Sequence, residues 1–231
     1  QLFAPLSDTM NSMAERVQQL IATHRDLSSA ISHELRTPIA RLRFALEMLT
    51  ETDEEAERKR LWAMMEADLE ELDHLIDTSL TYARFEREAP EPHFSEVRFA
   101  EWLADEVDAV RLLGRDLAIT VDTSRLPENL VVDLDRKAMP YALRNLLRNA
   151  FKYARQQIVV SASLEDGRAL INVDDDGIGI PPEDRENVFS AFTRLDRSRD
   201  RATGGYGLGL AITRRVLELH GGTATADAAQ L

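Results

Sequence analysis

The sequence predicts two structural parts in series. The first is an antiparallel helical hairpin that closes with a second copy as a four-helix bundle, and the second is a mixed α/β domain. Three observations predict this. Apolar residues recur at helical spacing from Met13 as far as Ala83. A break with two prolines, Glu88-Ala89-Pro90-Glu91-Pro92-His93, then forbids helix continuation. Beyond it, strand-like runs alternate with amphipathic stretches and two glycine-rich loops.

The bulk numbers agree. A length of 231 residues fits one large domain or two ordinary ones. With 44% hydrophobic and 30% charged residues, the chain has material for a core and a solvated surface, which excludes disorder over most of its length. The net charge of −13 argues against sequence-independent nucleic-acid binding, which needs Lys and Arg to neutralise phosphates. With no cysteine there is no disulfide, thiolate zinc site or cysteine nucleophile, a composition compatible with a reducing compartment. No run approaches the ~18 apolar residues of a membrane span. No secretory signal opens the chain, and its start at Gln1 rather than Met leads us to expect a piece of a longer protein, which leaves an upstream membrane anchor open.

In the first helix the apolar positions are Met13, Val17, Leu20, His24, Leu27 and Ile31, in alternating steps of four and three. An extra step of four leads to Leu35, and the pattern resumes through Pro38, Leu42, Ala45 and Leu49. Two consecutive fours are a stutter, which locally unwinds a supercoil. It falls on Ser32-His33-Glu34-Leu35-Arg36-Thr37-Pro38. A polar stretch from Thr50 to Glu55 ends this helix, with Asp53 as the expected N-cap of the next. That second helix carries Leu61, Met65, Leu69, Leu72, Ile76, Leu80 and Ala83 on one face. One hairpin cannot bury both stripes, so a dimer is the expected solution.

After the linker, a helix is expected over 99–113, stopping at Gly114, with strands over 117–122 and 130–134. A helix over 136–155 follows, with Asp135 as N-cap. Runs 158–164 and 169–173 flank Asp166-Gly167, a hairpin signal. A last helix is expected over 208–220, and Gly221-Gly222 should precede a short strand.

Several residues carry chemistry. His33 lies two positions past Ile31, about 200° around the helix from the apolar seam, and should face solvent. A solvated surface histidine is the commoner reading of such a residue. Against it stand Glu34 beside it, Thr37 one turn on, and Pro38, which removes the N–H that the Glu34 carbonyl would accept and should kink the helix. Asn145 and Asn149 share a helix face away from the Leu143, Leu146, Leu147 and Ala150 stripe. Amide oxygens are acceptable Mg²⁺ ligands. Asp175-Asp176-Gly177-Ile178-Gly179 follows an apolar strand, where an ordinary strand-end turn is the rival reading. Gly204-Gly205-Tyr206-Gly207-Leu208-Gly209 opens a helix, whose free N–H groups suit phosphate. Arg194, Arg197, Arg199 and Arg201 lie between the loops and read equally as a solvated charge run.

Taken together, these residues resemble the sensor histidine kinases. Ser32-His33-Glu34-Leu35-Arg36-Thr37-Pro38 is similar to that family's H-box. The run from Asn145 to Tyr153 resembles its N-box, Asp175 to Gly179 its G1 box, Val188-Phe189-Ser190-Ala191-Phe192 its F-box, and Gly205 to Leu210 its G2 box. The boxes stand in the family's order, and within it the chain is most similar to membrane sensors of the EnvZ, RstB and PhoQ type, with an RstB-like subgroup. The implied fold is a dimeric four-helix bundle followed by a Bergerat-type (GHKL) sandwich. The implied parts are 1–19 as the end of a HAMP-like signalling helix, 20–88 for dimerisation and histidine phosphotransfer, 89–93 as linker and 94–231 for catalysis and ATP binding.

The resemblance implies that His33 takes the γ-phosphoryl group of ATP and passes it to an aspartate of a response regulator. It makes Glu34 the general base and Thr37 the residue that orients water for phosphatase activity. A Thr37 hydroxyl bonded to the preceding turn competes with that role. Asn149, assisted by Asn145, would hold Mg²⁺, Lys152 would contact phosphate, Tyr153 would pack on adenine, and Asp175 would accept the adenine amino hydrogen. Gly177, Gly179, Gly205, Gly207, Leu208 and Gly209 would line the nucleotide, with Arg194 and Arg201 closing on it. Asp176 and Ile178 stand where relatives often have Asn and Pro, and the chain ends at Leu231 before the family's usual last strand. Two rivals remain open on the sequence: a nucleotide-operated structural ATPase, which lacks an H-box, and a degenerate kinase acting as a dimeric scaffold.

Overall fold

The computed structural model describes residues 4–87, 92–111, 117–195 and 206–229, and in the first helix the side chains are described continuously from Leu27. The expected helix stop at Gly114, most of the linker, Arg197, Arg199, Arg201, Gly204 and Gly205 lie outside these residues. The chain divides into two compact units, Gln1–Ser79 and Leu80–Leu231.

The first unit is a helical hairpin. Helix α1 (Ala4–Glu51) runs unbroken through Pro38, which is buried. Helix α2 spans Glu55–Arg87, and its first hydrogen bond runs from Arg58 N–H to the Glu54 carbonyl, so the cap position is Glu54 rather than Asp53. Ala45 of α1 and Leu61 and Met65 of α2 form a buried cluster with Leu42, Met48, Leu49 and Met64 around it. The expected α2 stripe is divided between two surroundings. Leu61 and Met65 are buried with Leu75, whereas Leu69, Ile76 and Leu80 are exposed. Between the helices Arg41 Nη2 reaches Asp68 Oδ1 at 2.6 Å and also pairs with Glu71. Among the described residues no helix is long and apolar enough to cross a membrane.

The second unit begins with the last turns of α2. Strand β1 (Phe94–Arg98) pairs antiparallel with β3 (Val131–Asp135), and a three-stranded sheet has the order β2 (Ala118–Arg125), β4 (Gln157–Glu165), β5 (Arg168–Asp175). β2 runs parallel to β4, and β4 antiparallel to β5. Helices α3 (Phe99–Arg111), α4 (Met139–Tyr153) and α5 (Gly209–Leu219) complete the unit. α3 buries Phe99, Trp102, Leu103, Val107 and Val110, one helical face, against Leu143 and Leu147 of α4 and Ile158, Val160 and Ala162 of β4. The alternate burial along β4 marks a sheet covered on one face.

Local chemistry explains the boundaries. The β4–β5 connection is the two-residue loop Asp166-Gly167 with positive φ at both positions, as a twist-matched hairpin turn requires. α4 starts at Met139, later than expected, because Asp135 Oδ1 accepts the N–H groups of Lys137 and Ala138 and so closes a separate turn first. Pro140 then sits in the first turn of α4, where its missing N–H costs nothing. α5 ends where Gly222 N–H bonds to the Leu217 carbonyl and Gly221 N–H to that of Glu218, a paired C-terminal closure. The short strand expected after Gly221-Gly222 is absent among the described residues.

Candidate active site

In the first unit His33 projects from α1 with 77% of its side chain exposed, and its Nδ1 lies 3.5 Å from Glu34 Oε1. Facing a carboxylate favours the Nδ1–H tautomer, which leaves the Nε2 lone pair directed to solvent. Thr37 is half-buried one turn further on. Ser32 Oγ donates to the Ser28 carbonyl at 2.7 Å, but among the described residues Thr37 makes no such back-bond.

In the second unit the other candidates converge on the C-terminal half of α4, the loop after β5 and the start of α5. Asn145 and Asn149 are half-buried on one face of α4. Gly209 packs on Asn145, since a Cβ there would stand 3.4 Å from both the amide carbon and Oδ1. Thr213, fully buried, has its hydroxyl 3.2 Å from the Ala142 carbonyl and 3.1 Å from that of Gly209. It therefore ties the first turn of α5 to α4. Lys152 Nζ sits 4.7 Å from the centre of the Tyr153 ring.

Gly177 N–H donates to Asp175 Oδ1 at 2.9 Å. A Cβ on Gly177 would lie 2.4 Å from the Tyr153 carbonyl oxygen, so only glycine allows this loop to close on α4. Asp175 is half-buried, and its carboxyl is raised above the ordinary value, first by that burial and then by Asp176 and Asp174; the Gly177 N–H pulls the other way. On the opposite side Phe192 N–H donates to the Gly207 carbonyl at 2.9 Å, and both residues have positive φ. A side chain on Gly207 would meet the Thr193 carbonyl at 2.7 Å. Leu208 is fully buried, Gly179 is exposed and left-handed, and Arg194 is half-buried.

The residues suit a magnesium ion that arrives with a nucleotide. Among the described residues no group of three His, Cys, Asp or Glu is placed to hold a metal ion by itself. Mg²⁺ needs none here, because it is usually held by one or two protein oxygens together with substrate phosphates. The Asn149 amide makes no hydrogen bond among the described residues, which leaves its oxygen available. Sequence reasoning missed Thr213 and the roles of Asp176 and Arg41, whose partners are remote in the chain.

Comparison with known proteins agrees with this geometry. Residues 23–88 match the His Kinase A (phospho-acceptor) domain, and residues 134–230 match the histidine kinase-, DNA gyrase B-, and HSP90-like ATPase family. A helical hairpin of the first kind followed by an α/β unit of the second defines a class, and the chain belongs to the sensor histidine kinases. It is 40% identical over 229 residues to the sensor protein RstB of Escherichia coli K12, covering 99% of this chain and 51% of RstB. It is 31% identical over 231 residues to the sensor histidine kinase CpxA of the same organism, covering 98% of this chain and 49% of CpxA. The solved structure of full-length ShkA in complex with AMPPNP aligns with a TM-score of 0.60 at 26% identity, over 89% of this chain and 43% of that one. The chain thus spans about half the length of the curated relatives it matches.

Proposed function

We propose that this chain is the kinase portion of a two-component sensor, which autophosphorylates His33 from ATP and passes the group to an aspartate of a response regulator. The observation that carries the reading is the exposed His33 imidazole with Glu34 against its Nδ1, on a phospho-acceptor hairpin that precedes an ATPase-type unit. Nε2 attacks the γ-phosphorus, an N–P bond forms, the bond to the β–γ bridging oxygen breaks and ADP leaves. Glu34 takes up or holds the proton at Nδ1 as the ring becomes cationic, the role of a general base.

Catalysis of phosphoryl transfer is mostly positioning and charge neutralisation. Asn149, with Asn145, would hold Mg²⁺, which would supply positive charge to offset that of the phosphates. Lys152 would contact phosphate, Tyr153 would pack on adenine, and Asp175 would accept the adenine amino hydrogen. Gly177, Gly179, Gly205, Gly207, Leu208 and Gly209 admit the nucleotide backbone closely, and Arg194 and Arg201 contribute cationic charge. Thr37, with no back-bond, is the residue that orients water when the phosphorylated regulator is dephosphorylated. The working unit is a homodimer. The histidine kinase ThkA, a structural neighbour, has been solved in complex with the response regulator protein TrrA, which supports the choice of partner class. The resemblance of its boxes to those of membrane sensors supports a cytoplasmic position beneath an upstream membrane segment.

The test is incubation with γ-labelled ATP and Mg²⁺. Label that survives alkali and is lost in acid is phosphohistidine and supports the proposal, whereas acid-stable label or none refutes it.

A further inference from the structure

The carboxylate of Asp176 reaches the turn that leaves α4. Its Oδ1 accepts Arg155 N–H at 2.7 Å and Gln156 N–H at 3.1 Å, and Oδ2 also takes Gln156 N–H at 3.0 Å. Asp176 N–H in turn donates to the Gln157 carbonyl at 3.4 Å. An aspartate that merely caps its own turn bonds two or three residues away. Here the donors lie 21 and 20 residues back, so the side chain joins two separate elements.

Those elements are the ones that carry the base-recognising groups. Tyr153 ends α4 two residues before Arg155, and Asp175 immediately precedes Asp176. Gly177, on the other side of Asp176, lies against the Tyr153 carbonyl and donates its N–H to Asp175. Without Asp176 the loop would keep the Gly177 contact but lose its charge-assisted anchor, the stronger kind of hydrogen bond. The Gln156 and Arg155 amides also hold the Asp176 carboxyl below the ordinary carboxylate range, as expected for an anion that serves as acceptor.

We propose that Asp176 is a positioning residue that sets Asp175 and Tyr153 into one edge and thereby carries the discrimination of adenine from other bases. The role rests on the proposed contact of Asp175 and Tyr153 with adenine. Adenine presents an amino donor where guanine presents a carbonyl acceptor. A carboxylate fixed opposite that position binds the first and repels the second. A carboxylate free to swing away does neither.

Calorimetry on the whole 231-residue chain with non-hydrolysable ATP and GTP analogues and Mg²⁺ tests this. Asp176→Ala is expected to weaken ATP-analogue binding about tenfold and to narrow the preference over the GTP analogue by a similar factor. Asp176→Asn keeps one oxygen acceptor but loses the charge and the second acceptor, so it should fall between Asp176→Ala and the parent. Asp176→Ala with the parent's preference overturns the proposal, and so does Asp176→Asn failing as completely as Asp176→Ala. Asp175→Asn separates the two levels. If it leaves the preference intact, the base-contact reading beneath the proposal falls; if it abolishes the preference while Asp176→Ala does not, the positioning role alone falls. Should Asp176→Ala not fold, Arg155→Pro removes one donor and keeps the carboxylate, and Ala154 already has the extended backbone that suits a following proline. An unchanged preference in that variant overturns the proposal, and a narrowed one supports it.

Discussion

His33 Nδ1 stands 3.5 Å from Glu34 Oε1, although the two residues are consecutive on α1. Neighbouring helical side chains leave the axis about 100° apart, so this contact requires both to lean along the surface. The carboxylate orients the imidazole and leaves Nε2 outward. Glu34→Gln should therefore lower the initial rate of autophosphorylation by about two to four orders of magnitude, the usual worth of a general base. Nucleotide affinity by calorimetry should not change, because the nucleotide-binding candidates lie in the other unit. An unchanged rate would contradict the role given to Glu34.

Asp175 supplies a prediction with opposite signs for stability and binding. Its carboxyl is raised, first by burial and then by Asp176 and Asp174. A carboxyl raised on folding holds its proton more tightly in the native chain than in the unfolded one. Its stabilising contribution is therefore present in acid and is lost as pH rises through the raised value. Asp175→Asn keeps an acceptor for Gly177 N–H and removes that cost, so near neutral pH it should melt at or above the parent's temperature. The difference should close in acid, as the parent's own carboxyl protonates. ATP affinity should fall in the same variant, and in the parent it should fall on acidification at a higher pH than an ordinary aspartate would give. Thermal melts and titrations across pH check both.

The ionic pair inside the hairpin is asymmetric. The Asp68 side chain is only 6% exposed and its Oδ2 has no partner among the described residues, while Arg41 is partly exposed and also has Glu71. Arg41→Met strands a buried carboxylate and should cost about 3 kcal/mol, whereas Asp68→Leu leaves Arg41 with Glu71 and water and should cost about 1 kcal/mol or less. Urea denaturation of the two variants measures the difference, and equal losses would refute the asymmetry.

Much of this molecule was legible in local patterns. The Asp166-Gly167 turn could be read because its requirement is confined to two residues with positive φ. The exposure of His33 followed from its angle to the apolar positions, which α1 preserves through Pro38. The start of α4 was misjudged because Asp135 is a good N-cap residue that instead closes the preceding turn on Lys137 and Ala138. Leu69 and Ile76 belong to the same apolar stripe as Leu61 and Met65, so the sequence could not tell which would pack within one hairpin and which would remain uncovered. Asp176, Thr213 and Arg41 act on partners far along the chain, and no short-range signal marks such pairings. The roles of the site residues came from resemblance rather than from spacing.

The uncovered residues on α2 predict the assembly. Leu69 is 54% and Ile76 47% exposed in the single chain. Apolar residues repeating along one helix face in this way mark an association surface. A charge placed there would sit unpaired in an apolar interface at a cost of several kcal/mol, yet it disturbs nothing inside the hairpin. Ile76→Glu should therefore convert a dimer to a monomer by light scattering, with the ATP affinity of the second unit retained. A parent chain that is monomeric at micromolar concentration would contradict the bundle.

Phosphotransfer by this chain requires that the phosphoryl group of ATP come to rest on His33. Labelling the parent chain with γ-labelled ATP and Mg²⁺, digesting it at alkaline pH and mapping the labelled peptide, with His33→Gln alongside, decides this. Label should be confined to the peptide that carries His33 and absent from His33→Gln, with equal nucleotide affinity in both chains. Label on another peptide, or persisting in His33→Gln, would contradict it.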